Sequence, residues 1–96
     1  MEFKRIDRDI RGDARYEIEK DGKPYLIQIT KEAFGDDLKI TEDAPKDDLK
    51  KALTKDQLEK LERIVLERID NGLFKQMTDK PSGPYYVILI KSGDLA

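Results

Sequence analysis

Apolar and polar residues alternate on both sides of an Asp-Gly pair, and this pattern predicts a β-hairpin over residues 14–30. Asp21-Gly22 favours a type I′ turn, because both central residues of that turn need positive φ. The two-residue turn sets a register in which one face of the hairpin is apolar, carrying Tyr16, Ile18, Tyr25, Ile27 and Ile29. The opposite face is polar apart from Leu26.

Helical periodicity begins after Thr54, where Thr54 and Gln57 have the spacing of a capping box. The pattern predicts a helix over about 55–71 that ends at Asn71-Gly72 through a left-handed C-cap. Its apolar stripe consists of Leu58, Leu61, Val65 and Ile69.

Two shorter helical segments are predicted between the hairpin and the long helix. Thr30 is a typical N-cap for one helical turn, which we expect Gly35 to end. Pro45 is typical of the first turn of another short helix, ending by about Leu53.

The segment from Tyr85 to Ile90 is apolar in both alternating sets of positions. A strand of this kind is expected inside a sheet, with a neighbour on each side and cover on at least one face. A short edge strand near residues 2–6 and a loop over 73–84 complete the prediction. The expected fold is α+β, in one domain spanning residues 1–96: a small, mostly antiparallel sheet of three or four strands, with one long helix and one or two short helices on a face.

The composition excludes several kinds of chemistry but does not identify a function. Charged residues make up 42% of the chain, with 19 basic and 21 acidic residues, and the net charge of −2 argues against strong general affinity for nucleic acid. Cysteine and histidine are both absent, which excludes disulfides, thiolate-bound metals and the commonest general base. No glycine-rich phosphate loop and no secretory apolar segment are found, so we expect no cofactor, no membrane contact and a cytoplasmic location.

Two acidic patterns are candidates for binding a cation. Residues 7–18 match a calcium loop in part, but Arg11 and Ile18 stand where oxygen ligands are required. The acidic segment 36–48 offers four carboxylates for a hard cation: Asp36, Asp37, Asp47 and Asp48. We favour a solvated loop with helix-capping acids for both segments, so no catalytic, cofactor or metal residue is assigned.

Three segments, DGKPYLIQITKEAF, LERIVLERIDNGLF and YYVILIKSGDL, follow one another along the chain. Their order of hairpin, helix and closing strand resembles the short bacterial proteins of the domain of unknown function 1488 family. The resemblance covers nearly the whole chain and implies a small α+β fold. It implies no activity, so no functional residue is carried over from it. The chain departs from the family pattern in its longer acidic segment and in its N-terminal strand.

The leading functional hypothesis is a non-enzymatic protein-interaction or regulatory module, with a homodimer among its forms. Its candidate interface consists of Leu26, Tyr86, Ile88 and Ile90. One alternative is a weak single-stranded nucleic-acid binder that uses sheet tyrosines with Arg5, Arg8, Arg11 and Arg15. Another is a small metal-dependent enzyme that uses the carboxylates of residues 36–48.

Overall fold

The computed structural model describes residues 2–8, 13–38, 53–79, 81 and 83–95. In these parts of the chain, a five-stranded mixed sheet with strand order β1-β2-β3-β5-β4 packs against helices. The elements are β1 (Lys4–Arg8), β2 (Ala14–Lys20), β3 (Lys23–Ile29), α1 (Lys31–Asp36), α2 (Lys55–Asp70), β4 (Lys75–Met77) and β5 (Tyr85–Ile90). The α+β class predicted from the sequence is confirmed.

The β2–β3 hairpin has the predicted turn and register. Asp21 and Gly22 have φ values of 54° and 78°, as a type I′ turn requires. Tyr16 pairs with Ile27, and Ile18 pairs with Tyr25. The side chains that the alternation assigns to the apolar face are all buried.

Strand β5 lies inside the sheet, as predicted, parallel to β3 and antiparallel to β4. Of the four strand pairings in the described sheet, the β3–β5 pairing alone is parallel, because the chain crosses over through the helical region between these strands. The expected number of strands was too low. Lys75–Met77 lies in the segment predicted as a loop, and it pairs with β5 as a short edge strand.

Helix α2 is capped at both ends by its own sequence. Thr54 Oγ1 accepts from the Gln57 N–H at 3.1 Å, and Gln57 Oε1 accepts from the Thr54 N–H at 2.9 Å, which completes the predicted capping box. At the other end, Gly72 has a φ of 69°, and the Leu73 N–H donates to the Arg68 carbonyl at 2.8 Å in a Schellman arrangement.

The core lies between α2 and one face of the sheet. Leu61 and Val65 are the fully buried residues of α2, and they belong to one cluster with the apolar face of the hairpin and the inward side chains of β5. Leu38 and Leu53, which flank the part of the chain from 39 to 52, are buried in the same cluster. The other face of the sheet, which we call the outer face, is turned away from this core.

Three local predictions differ from the structure or lie outside the described residues. Gly35 lies inside α1 and does not end it, because the N–H groups of Asp37 and Leu38 still donate to the Ala33 carbonyl beyond the glycine. Strand β1 covers 4–8 instead of 2–6, with a register shift between Arg5 and Asp7. The short helix expected after Pro45 falls on residues 39–52, outside the described residues.

Truncating the buried stripe of α2 tests the packing of the core. Leu61→Ala is expected to cost about 2–4 kcal/mol of unfolding free energy, since it leaves a cavity against the sheet. Leu73, which is 60% exposed, provides the control, and Leu73→Ala should change stability by less than about 0.5 kcal/mol. Urea unfolding measures both values; equal effects would mean that Leu61 does not face the core.

Candidate interaction surface on the outer sheet face

The outer face is formed by the side chains that alternate with the core residues along each strand. Strand pairing aligns one residue from each strand in a row across this face: Lys4, Glu17, Leu26, Val87 and Lys75. The two central members are apolar, while Glu17, Lys75 and Lys4 are exposed charged residues. This row therefore has an apolar centre with charges on both sides.

Apolar surface on the outer face comes mainly from β5. Leu89 is 37% exposed, and Val87 is half-buried. Leu26 beside them on β3 is only 9% exposed. Val87 and Leu89 are thus the apolar side chains of the central strands that a partner could bury.

A shallow depression of about 560 Å³ lies at one end of the outer face. Its lining is Asp13, Gln28, Thr30, Glu32, Lys75, Val87, Leu89, Lys91 and Ser92. Asp13 is buried, and its carboxylate accepts from Gln28 Nε2 at 3.1 Å and from the Lys31 N–H at 3.0 Å. These bonds hold the start of α1 against the hairpin, so the carboxylate has a structural role.

The acids at the start of the predicted cation segment hold the C-terminal residues. Asp37 accepts from the Gly93 N–H at 2.8 and 2.9 Å, and from the Leu95 N–H at 3.0 Å. Asp36 accepts from Ser92 Oγ at 2.8 Å. The described part of the chain holds no group of three or more acidic residues arranged for a metal ion, and the other two candidates, Asp47 and Asp48, lie outside the described residues.

Arg68 of α2 holds β5 and the C-terminal residues together. Its Nη1 donates to the Leu89 carbonyl at 2.7 Å, and its Nη2 is 3.0 Å from Asp94 Oδ2. The same carboxylate oxygen accepts from the Lys91 N–H at 2.8 Å. Partial burial alone would raise the pKa of Asp94, but these bonds from Lys91 and Arg68 outweigh burial and lower that pKa.

The predicted interface residues do not lie on one surface, so that prediction was wrong. Ile88 and Ile90 are fully buried beneath α2, and Tyr86 lies half-buried on the same side, in contact with Tyr25 and Phe74. Leu26 lies on the opposite face. The error came from choosing the wrong one of two apolar sets in β5; the alternative set, which contains Val87 and Leu89, faces outward.

The four sheet tyrosines do not form a shared stacking surface. Tyr16 and Tyr25 are buried in the core with Tyr86 packed beside them, whereas Tyr85 is on the outer face. The Tyr85 hydroxyl donates to Asp79 Oδ1 at 2.8 Å, which raises the pKa of Tyr85.

The four arginines of the nucleic-acid hypothesis are only partly described. Arg15 is half-buried in β2 on the outer face, where it pairs with Gln28. Arg5 and Arg8 have described backbone positions in β1, while their side chains and all of Arg11 lie outside the description. The residues of the partial calcium loop between Asp9 and Gly12 lie outside it as well.

Comparison with models of known families, with curated proteins and with solved structures finds no match to this chain. The resemblance to the domain of unknown function 1488 family therefore stays a prediction from the sequence. Neither described helix is long and apolar enough to cross a membrane.

Removing the charge of Asp37 tests its role in holding the C-terminal residues. Asp37→Asn is expected to lower the unfolding free energy by about 1–3 kcal/mol, because an ionised acceptor of two backbone N–H groups is lost. Glu59→Gln, an exposed change of the same chemistry on α2, should have little effect. Hydrogen exchange should speed up at Gly93 and Leu95 in Asp37→Asn; unchanged exchange there would contradict this role.

The lowered pKa of Asp94 predicts a dependence of stability on pH. The unfolded chain binds the Asp94 proton more tightly than the folded chain does, so the ionised carboxylate stabilises the fold fully above the ordinary pKa of 3.8. This stabilisation is lost as the pH falls through the lower folded value. The difference in unfolding free energy between wild type and Asp94→Asn should therefore shrink from about pH 6 to below about pH 3. A difference that does not vary with pH would contradict the assignment.

Proposed function

We propose that this chain is a non-enzymatic protein-interaction module whose binding surface is the outer face of the sheet. The observation that carries the proposal is the exposed apolar surface of Val87 and Leu89 on β5, with charged residues on the flanking strands of the same face. An apolar centre with a polar rim is the usual composition of a protein interface. A cytoplasmic location stays the prediction made from the sequence.

The form of the two sheet edges favours the outer face over edge-strand pairing. Strand β4 has only three residues, and two of them, Lys75 and Gln76, are exposed. Strand β1 has an irregular register between Arg5 and Asp7. Short strands, lysines and bulges all hinder the addition of another strand to an edge.

Rigid support of β5 favours the same face. Strand β3 pairs with β5 as far as Ile90, and β4 pairs with Tyr85–Val87. The inward side chains of β5 are fully buried at Ile88 and Ile90, and Arg68 holds the Leu89 carbonyl. An apolar side chain held in this way loses little conformational freedom when a partner binds, which lowers the entropic cost of association.

Substitution of Leu89 tests the proposal. Leu89→Asp should reduce partner binding by at least about tenfold, because it places a carboxylate on the exposed apolar surface that a partner must desolvate. Leu89→Thr, which removes apolar surface without adding a charge and suits a strand, should cause a smaller loss. Leu73→Asp is the matched control, because Leu73 is exposed and follows α2 outside the sheet.

Binding is measured by quantitative cross-linking, both in cell extract and with the purified chain. Variants are compared with wild type only where their unfolding midpoints are the same. The cross-linked partner is either a different protein or a second copy of the chain. The proposal expects wild type and Leu73→Asp to cross-link to the same partner, and Leu89→Asp to cross-link to much less of it. Equal cross-linking by all variants, or none by wild type, would overturn the proposal.

A further inference from the structure

The charges on the outer face are arranged so that the face complements itself. Glu17 and Lys75 stand in one register row, on opposite sides of the apolar pair Leu26 and Val87. Three strand spacings separate Glu17 from Lys75, or about 14 Å. Salt screens charges at that distance within one chain, so the pair contributes little to the fold of a single copy.

We infer that the partner of the outer face is a second copy of this chain, an inference that rests on the proposed function. The two copies pack face to face about a twofold axis that runs parallel to the strands, between β3 and β5. Rotation about this axis places Glu17 over Lys75 of the second copy, and Leu26 over Val87 of the second copy. Each contact occurs twice, as the symmetry of an isologous interface requires.

Two other twofold arrangements of the same face bring like charges together. An axis in the plane of the sheet but across the strands places Glu17 over Glu17 of the second copy, and Lys75 over Lys75. An axis moved sideways onto β3 places Lys4 over Lys75 of the second copy. Like charges held opposite each other are destabilising, and of these three arrangements only the axis between β3 and β5 sets Glu17 against Lys75.

The proposed arrangement agrees with the known packing of sheets. An axis parallel to the strands keeps the strand directions of the two copies nearly aligned, as in β-sandwiches, where facing sheets lie about 10 Å apart. Helix α2 stays on the outside of the dimer because it packs on the core side of the sheet.

The size of the face predicts a weak dimer. Five strands and about six residues per strand give a face of roughly 20 Å by 20 Å, at the small end of specific protein interfaces. We therefore expect a dissociation constant in the micromolar range or higher, and association should weaken as salt is added.

Charge reversal with the full chain tests both the partner and the axis. Sedimentation equilibrium is measured from roughly 10 μM to 1 mM for wild type, Glu17→Lys and Lys75→Glu. Each reversal alone should weaken dimerisation by about tenfold or more, because it creates two like-charge contacts. An equimolar mixture of the two variants should associate about as well as wild type, since every Glu17–Lys75 contact becomes complementary again. The doubly reversed chain should also recover.

Neutral variants control for an effect of the substitutions on folding. Glu17→Gln and Lys75→Gln should weaken the dimer by a smaller factor than the reversals do. Unfolding midpoints are measured at low concentration, where the chain is monomeric. They should match that of wild type, except that Glu17→Lys, which places a lysine opposite Lys4, should lower the midpoint slightly. Both positions are exposed, so their substitution leaves the core intact.

The outcomes separate this inference from the proposed function. A wild type that is monomeric at every concentration overturns the inference, while the function stands if a different protein is still cross-linked in a manner that depends on Leu89. A dimer that ignores both reversals, or a mixture of the two variants that stays dissociated, overturns the proposed axis and with it the inference. Loss of both the dimer and the cross-linked partner overturns both.

Discussion

The parallel pairing of β3 with β5 is the interaction on which the rest of the structure depends. It places Ile27 opposite Ile88 and Ile29 opposite Ile90, and all four side chains are fully buried in the core. The Thr30 N–H extends the pairing by donating to the Ile90 carbonyl at 3.0 Å, at the residue that caps α1. A shift of one residue would exchange the two faces of β5 and move buried isoleucines to the surface.

A second set of contacts stabilises this pairing from the end of the chain. Arg68 links the end of α2 to the Leu89 carbonyl and to Asp94, and Asp37 binds the backbone that follows β5. These charge-assisted bonds connect three segments that are far apart in sequence. The outer face therefore rests on a strand that is held by β3 along its length, by β4 over Tyr85–Val87, by the core below and by the residues after it.

Much of the fold could be predicted because its signals are local. Asp21-Gly22 specifies its turn through positive φ, and Thr54 with Gln57 specifies the start of α2 through bonds within one helical turn. The candidate surface could not be predicted in the same way, since either apolar set of β5 fits a buried strand. Gly35 shows the same limit at smaller scale, because the helix continues past the glycine to Asp36.

The sequence by itself determined the hairpin, the bounds of α2, the apolar stripe of that helix and the absence of thiol and imidazole chemistry, because each depends on residue types and short-range spacing. Only the tertiary structure decided that β5 pairs parallel to β3, that Ile88 and Ile90 face the core, and that Val87 and Leu89 face outward. It also decided that Glu17 and Lys75 share one row, since strand order and register arise from long-range pairing that no local pattern encodes.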